Sequence, residues 1–259
     1  MSYADLPAGR FFYEEQGSGP AVVFSHGIYM DHTSFSEQLK GLSDEYRCIA
    51  WDSRNHGETE ADSSLTYWDH ARDLLALLDH LGIESAVLVG MSQGGFIGLR
   101  AAIEAPERVR GLVTIDSQAG LEDPAVVEGY TAMVEDWVEN GPSQVLLETV
   151  AQIINGPGID NAPWMEKWRS MSNTRVQNAF GTLVERDDVT EMLTQIECPA
   201  LVIHGDQDMA IPMERAKALA EGLPGCDDLV VVPGAGHSAQ MAAPDMVTEK
   251  IRGFLKALD

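Results

Sequence analysis

Short apolar runs alternate with amphipathic stretches along most of the chain, and that alternation predicts the architecture. Strands are expected at residues 11–15, 21–25, 46–51, 86–89, 109–115, 199–203 and 229–232. Helices are expected at 34–45, 65–81, 96–105, 214–221 and 246–258. Ala21-Val22-Val23-Phe24 and Ala86-Val87-Leu88-Val89 are apolar at every position. A strand with no polar face lies in a sheet covered on both sides. In the 65–81 segment, Leu65, Trp68, Ala71, Leu75, Leu78 and Leu81 recur near the helical period and predict a buried stripe. The pattern is that of an α/β fold, a mostly parallel sheet flanked by helices. Residues 118–196 break the rhythm. They hold helix-like segments at 125–140, 143–154 and 164–183, punctuated by Pro142, Pro157 and Pro163, with no convincing strand. This region is expected to be a helical cap inserted into a core formed by 1–117 and 197–259.

The sharpest local signal is Gly90-Met91-Ser92-Gln93-Gly94, set between the 86–89 strand and the helix that follows. The chain passes from strand to helix with almost no room to turn, so the middle residue is expected in a strained backbone conformation. The glycines remove side chains that would collide there. Ser92 is thereby held out at the sheet edge, and the Gln93 amide lies at a helix N-terminus. A serine hydroxyl is a poor nucleophile unless a base takes its proton and an acceptor fixes that base. In open α/β sheets such groups gather after the carboxyl ends of strands. His237 follows the last strand through Gly234-Ala235-Gly236 and is the candidate base. His204 sits inside an apolar strand pattern and reads as a structural, hydrogen-bonded histidine. His32, His70 and His80 have no partner pattern and read as surface residues. For the acid, Asp208 lies furthest into the loop after the penultimate strand. Asp206 reads as a brace for that turn, and Asp116, after an earlier strand, is a third candidate. The oxyanion of an acyl-transfer intermediate needs two preorganised donors. The Gln93 amide is one, and the Ile28 amide, after His26-Gly27, is the other. His26 and the group Asp52, Arg54 and His56 are expected to brace their loops.

Composition narrows the function. The 259 residues carry 17 Lys+Arg against 41 Asp+Glu, a formal net charge of −24, with no basic patch. Nucleic acid and anionic membranes are therefore not expected as partners. No apolar run reaches membrane-span length, and residues 1–15 lack the pattern of a secretory signal. Cys48, Cys198 and Cys226 follow no metal or disulfide spacing and read as small buried apolar residues. A cytoplasmic location is expected, and the chain is compatible with a homo-oligomer. No metal or organic cofactor is expected.

Five ordered pieces resemble the α/β-hydrolase superfamily: His26-Gly27, Asp52-x-Arg54-x-His56-Gly57, Gly90-Met91-Ser92-Gln93-Gly94-Gly95, Gly205-x-x-Asp208 and Gly236-His237. The segments 106–112 and 116–120 are similar to the carboxylesterase and 3-oxoadipate enol-lactonase-like group. Asn55 stands where that group commonly has glycine, and Gln93 where methionine is commoner; the Gln93 amide side chain is expected within reach of substrate.

The expected activity is hydrolysis of carboxylic esters or lactones through an acyl-enzyme on Ser92, His237 and Asp208. Enol-lactone hydrolysis, cofactor-free perhydrolysis and carbon–carbon bond hydrolysis are alternatives on the same triad. A receptor that retains the triad without turnover is the rival from another class. A dehalogenase is disfavoured, because that chemistry uses an elbow aspartate. The cap carries four basic residues (Lys167, Arg169, Arg175, Arg186) against thirteen acidic ones, a net of −9, so a neutral small-molecule substrate is expected unless one arginine points inward. Tyr29 and Met30, just past the oxyanion loop, are candidate pocket residues. Trp164 is a further one; with Trp168 it reads chiefly as cap core.

Overall fold

A computed structural model describes residues 2–63 and 66–258. The core is one eight-stranded sheet among the described residues. Its strands are β1 (Ser2–Leu6), β2 (Gly9–Gln16), β3 (Ala21–Ser25), β4 (Arg47–Trp51), β5 (Ala86–Met91), β6 (Val109–Ile115), β7 (Ala200–Gly205) and β8 (Cys226–Val232). They run in the order β1-β2-β4-β3-β5-β6-β7-β8. The β1–β2 and β2–β4 pairs are antiparallel, and the rest of the sheet is parallel. The helices are α1 (Ser36–Leu42), α2 (Tyr67–His80), α3 (Gln93–Glu104), α4 (Pro124–Asn140), α5 (Gln144–Ile154), α6 (Ala162–Ser170), α7 (Asn173–Val184), α8 (Met213–Gly222), α9 (Ala239–Ala242) and α10 (Pro244–Leu258).

Strand residues alternate between two cores. Val23, Ile49, Leu88, Leu112 and Val202 pack against α2, α3 and α8. Val22, Phe24, Val89, Val113 and Ile203 pack against α1 and α10. Burying such a side chain contributes about 1.5–3 kcal/mol, which is why the central strands tolerate no polar face.

The expected elements are present, with informative differences. β1 was not anticipated; its sequence buries only Ala4 and Leu6, the alternate positions of a half-covered edge strand. The expected helix at 164–183 is two helices, α6 and α7, broken where the Ser172 side chain caps α7 by accepting from the Arg175 amide. The buried stripe of α2 is Tyr67, His70, Ala71, Leu74, Leu77 and Leu78, turned from the expected one so that Trp68 and Leu75 lie at its margin. Leu65, the first residue of the expected stripe, lies outside the described residues. His70 and His32 are buried rather than on the surface. Cys48 is buried, whereas Cys198 and Cys226 are half-buried.

The four helices α4–α7 fall between β6 and β7. They join the α1/α10 core through Trp137, Leu147, Trp168 and Val176. No helix among the described residues is long and apolar enough to cross a membrane.

The charge of −24 repels itself across this surface. Salt near 1 M shortens the screening length to about 3 Å. The thermal midpoint, followed by circular dichroism, is therefore expected to rise on going from low salt to about 1 M NaCl; a flat or falling midpoint would count against this reading.

Candidate active site

Register places the site. Met91 pairs with Ile115, and Ile115 with Ile203, so Ser92, Asp116 and His204 form a row at the carboxyl ends of β5, β6 and β7. Ser92 sits at φ 49°, ψ −113°, a left-handed conformation costly for a side-chain-bearing residue. The surroundings hold it there. Its amide donates to the Ile115 carbonyl at 2.8 Å, and its carbonyl accepts from Gly95 N at 2.8 Å and Ser117 Oγ at 2.9 Å. A methyl group at Gly90 would collide with the Gly94 backbone, and one at Gly94 with the Ser25 carbonyl.

Three side chains distant in sequence then meet. Ser92 Oγ lies 2.9 Å from His237 Nε2, and His237 Nδ1 lies 2.8 Å from Asp208 Oδ2. The Nδ1–H donates to the carboxylate, which leaves Nε2 to accept from the serine hydroxyl. Asp208 Oδ1 is occupied separately, by the Ala210 and Ile211 amides at 2.8 and 3.0 Å. Burial alone would raise the Asp208 pKa, but the His237 charge and hydrogen bond, with the Ile211 amide, outweigh it and hold it below the usual carboxylate range. Burial likewise opposes the His237 cation, and Asp208 outweighs it, so the imidazole stands above its ordinary value. Asp206 braces its turn by accepting from the Gly234 amide at 2.7 Å.

On the opposite side, Met30 N donates to Gly27 O at 3.2 Å, closing a turn whose third residue, Tyr29, has φ 58°. The turn's own bond uses the Met30 amide and leaves the Ile28 amide outside it. His26 holds this loop: Nδ1–H donates to Gly27 O at 2.7 Å, and Nε2 accepts from Ser53 N at 3.0 Å. Asp52, Arg54 and His56 brace their loop. Asp52 accepts from the His32 and Glu58 amides at 2.7 and 2.8 Å, and Arg54 forks onto Asp73. His32 Nδ1 also meets Asp52, at 2.8 Å.

The Gln93 side chain is turned into the protein, against Ser53 and Tyr67. Its amide donates to Ser53 Oγ at 3.2 Å, and its carbonyl accepts from Tyr67 OH at 3.3 Å. His204 is structural, donating from Nε2 to Ile211 O at 2.9 Å. Asp116, His204 and Asp208 bring three potential ligand atoms within 4.8 Å of one another. Amides and His237 already occupy the carboxylates of that cluster.

These side chains and their order along the chain are those of a nucleophile-elbow hydrolase. Residues 20–244 match the family described as alpha/beta hydrolase fold. The chain belongs to this family. Among curated alpha/beta-hydrolase relatives, it is 26% identical over 246 residues to 3-oxoadipate enol-lactonase 1 of Acinetobacter baylyi, covering 93% of this chain and 90% of that protein. A solved thermophilic esterase from Thermogutta terrifontis is 31% identical with a TM-score of 0.88, covering 99% of this chain and 98% of that one. An enol-lactonase from Burkholderia xenovorans, 22% identical with a TM-score of 0.88 and covering 98% and 100% of the two chains, shares the fold.

Helices α6 and α7 meet the loops after β3 and β4, through Trp168 on Tyr29 and Arg175 on Gly57. A small apolar cavity lies beside them, lined by Ile28, Tyr29, Tyr130, Met133, Trp137 and Phe180 with further aliphatic residues and no charged one. Tyr29 belongs to it, but Met30 and Trp164 do not. Met30 lines a second, polar cleft with Asp31, Glu58, Lys167 and Arg175. Trp164 is buried in the cap core beneath Lys167. Trp168 Nε1 donates to the Tyr29 carbonyl at 2.7 Å, tying α6 to the 27–30 turn. The residues that line the cavity were not singled out from sequence, apart from Ile28 and Tyr29. Apolar helix positions look alike whether they face a core or a void.

The cap also clasps the histidine loop. Ser238 Oγ donates to Ile154 O at 2.8 Å, and a Cβ on Gly156 would stand 2.6 Å from Gly236 Cα. Only two glycines allow that approach.

Proposed function

We propose that this protein is a serine hydrolase of neutral carboxylic esters or lactones, working through an acyl-enzyme. The continuous Asp208–His237–Ser92 hydrogen-bond path carries the reading. Ser92 Oγ attacks the carbonyl carbon as its proton passes to His237 Nε2. Asp208 stabilises the imidazolium and fixes its tautomer. The Gln93 and Ile28 amides receive the oxyanion. His237 then returns the proton to the leaving alcohol, and a water activated by the same imidazole releases the acid. In a lactone, the leaving alcohol is part of the acyl chain, so deacylation releases a single hydroxy acid. The relatives named as esterase and enol-lactonase support this chemistry.

The preference for a neutral substrate rests on where the cap cations point. Lys167 pairs with Asp31 at 2.6 Å, Arg169 with Glu166 at 3.4 Å and Arg175 with Asp62 at 2.9 Å. Arg186 is turned inward but pairs with Glu122 and donates to the Gly120 carbonyl. No cap cation is left to meet a substrate carboxylate, and an unpaired buried charge is costly. A neutral aryl ester is expected to exceed a carboxylate-bearing lactone or ester by at least about tenfold in kcat/KM, since each 1.4 kcal/mol is a factor of ten. Stopped-flow release of the phenolate is expected to show a burst approaching one equivalent per chain where deacylation is slower than acylation, with the acyl mass located on Ser92. Preference for the anionic substrate would remove the charge argument. Acylation that persists without turnover would favour the receptor reading instead.

A further inference from the structure

The triad does not use Asp116, yet Asp116 is fully buried at the end of β6 with a left-handed φ of 48°. Its row position beside Ser92 and His204 sets it under the reacting groups. Each of its oxygens has one backbone donor. Oδ1 accepts from the Gly205 amide at 2.8 Å, and Oδ2 accepts from the Ala239 amide at 2.8 Å. Gly205 ends β7 and opens the turn that presents Asp208; Asp208 N in turn donates to Gly205 O at 3.3 Å. Ala239 is two residues beyond His237, at the first position of α9.

We propose that Asp116 is a positioning residue for the triad, its single carboxylate joining the loop that carries Asp208 to the loop that carries His237. The inference rests on the triad reading given above. A carboxylate suits the task because it accepts at both oxygens, whereas an amide accepts at only one. The two loops leave the neighbouring strands β7 and β8 and are also tied at their outer side, by Gly234 N to Asp206 Oδ1 at 2.7 Å and Gln207 N to Ala235 O at 2.8 Å; Asp116 ties them from beneath, beside the His237–Asp208 contact. A displacement of about 1 Å at such a site can cost about a hundredfold in rate. The charged and titratable groups facing Asp116 are His204 on β7, whose Nδ1 lies 3.5 Å from Oδ1, Asp208 in the following turn, and His237 beyond β8. Burial, and then repulsion by Asp208, push Asp116 up to about 7. Asp208 thus remains the anion opposite the imidazole, and Asp116 is the easier of the two acids to protonate.

Two variants test this with a neutral aryl ester. Asp116→Asn keeps the shape but turns an NH2 toward one of the two amides. Ala239→Pro deletes one donor and sets a ring Cδ against Asp116 Oδ2, so it breaks the same link from the other side. Both are expected to lower kcat by about 10- to 100-fold while KM stays within about twofold. Combined with Asp208→Asn, Asp116→Asn is expected to cost little more, because both act through the same imidazole. Should Asp116→Asn fail to fold, Ala239→Pro decides. Full kcat in the folded variants, a change confined to KM or to thermal stability, or a multiplicative loss with Asp208→Asn would overturn the inference. A Ser92→Ala control separates the two levels. Turnover surviving there refutes the serine mechanism itself; turnover lost there but intact in the Asp116 and Ala239 variants refutes only this role.

Discussion

Replacing Ser92 by alanine is expected to lower kcat for a neutral aryl ester by at least about ten-thousand-fold, to the level set by binding and oxyanion stabilisation alone. The residue is buried, and its hydroxyl is the group within 2.9 Å of the candidate base. Alanine deletes one oxygen and leaves the elbow intact. The backbone bonds to Ile115, Gly95 and Ser117 do not involve the hydroxyl. The variant is therefore expected to fold and to bind substrate with KM little changed. Steady-state kinetics on purified wild type and variant would check this. Turnover within tenfold of wild type would show that another group attacks, and the acyl-enzyme pathway would fall with it.

Asp208→Asn is expected to lower kcat by about ten-thousand-fold, close to the effect of losing the nucleophile. An asparagine can offer His237 Nδ1 its NH2 group, which drives the imidazole into the tautomer that cannot accept from Ser92. Its carbonyl can remain with the Ala210 and Ile211 amides, so the turn is preserved. The pH profile supplies an independent sign. His237 acts only when neutral, so activity is lost as pH falls through its pKa. Burial lowers that pKa, but Asp208 more than offsets it, and the wild-type acid limb of kcat/KM lies above the ordinary imidazole value. Without the carboxylate, burial prevails and the residual acid limb moves to lower pH. A limb that stays in place would show that Asp208 does not face the titrating group.

The parts of the site most legible in sequence were those fixed by backbone demands. Glycines at 90 and 94 leave few alternatives to an elbow, and candidates just past strand ends are drawn together by parallel register. The reading of His204 as structural followed from its place inside an apolar strand, and Asp206 as a turn brace from its place after it. Burial set by distant partners was not legible. His32 looked like a surface residue because Asp52, its partner, comes from another strand end. Gln93 was expected near substrate, but Ser53 and Tyr67 draw its side chain the other way. The pairing of each cap cation depended on acids up to 136 residues away in the chain. Trp164 and Tyr29 share an aromatic, apolar character, and only packing separates the residue that fills the cap from the one that lines its void.

The apposition of Gly156 with Gly236 bears on whether the segment between β6 and β7 could be exchanged as a unit. The segment between β6 and β7 is also part of the scaffold around His237, since the end of α5 grips the residues flanking it. A chimera that imports another cap between β6 and β7 would carry off that grip along with the old specificity. Transplants that retain residues 154–156 are expected to keep that grip on the His237 loop.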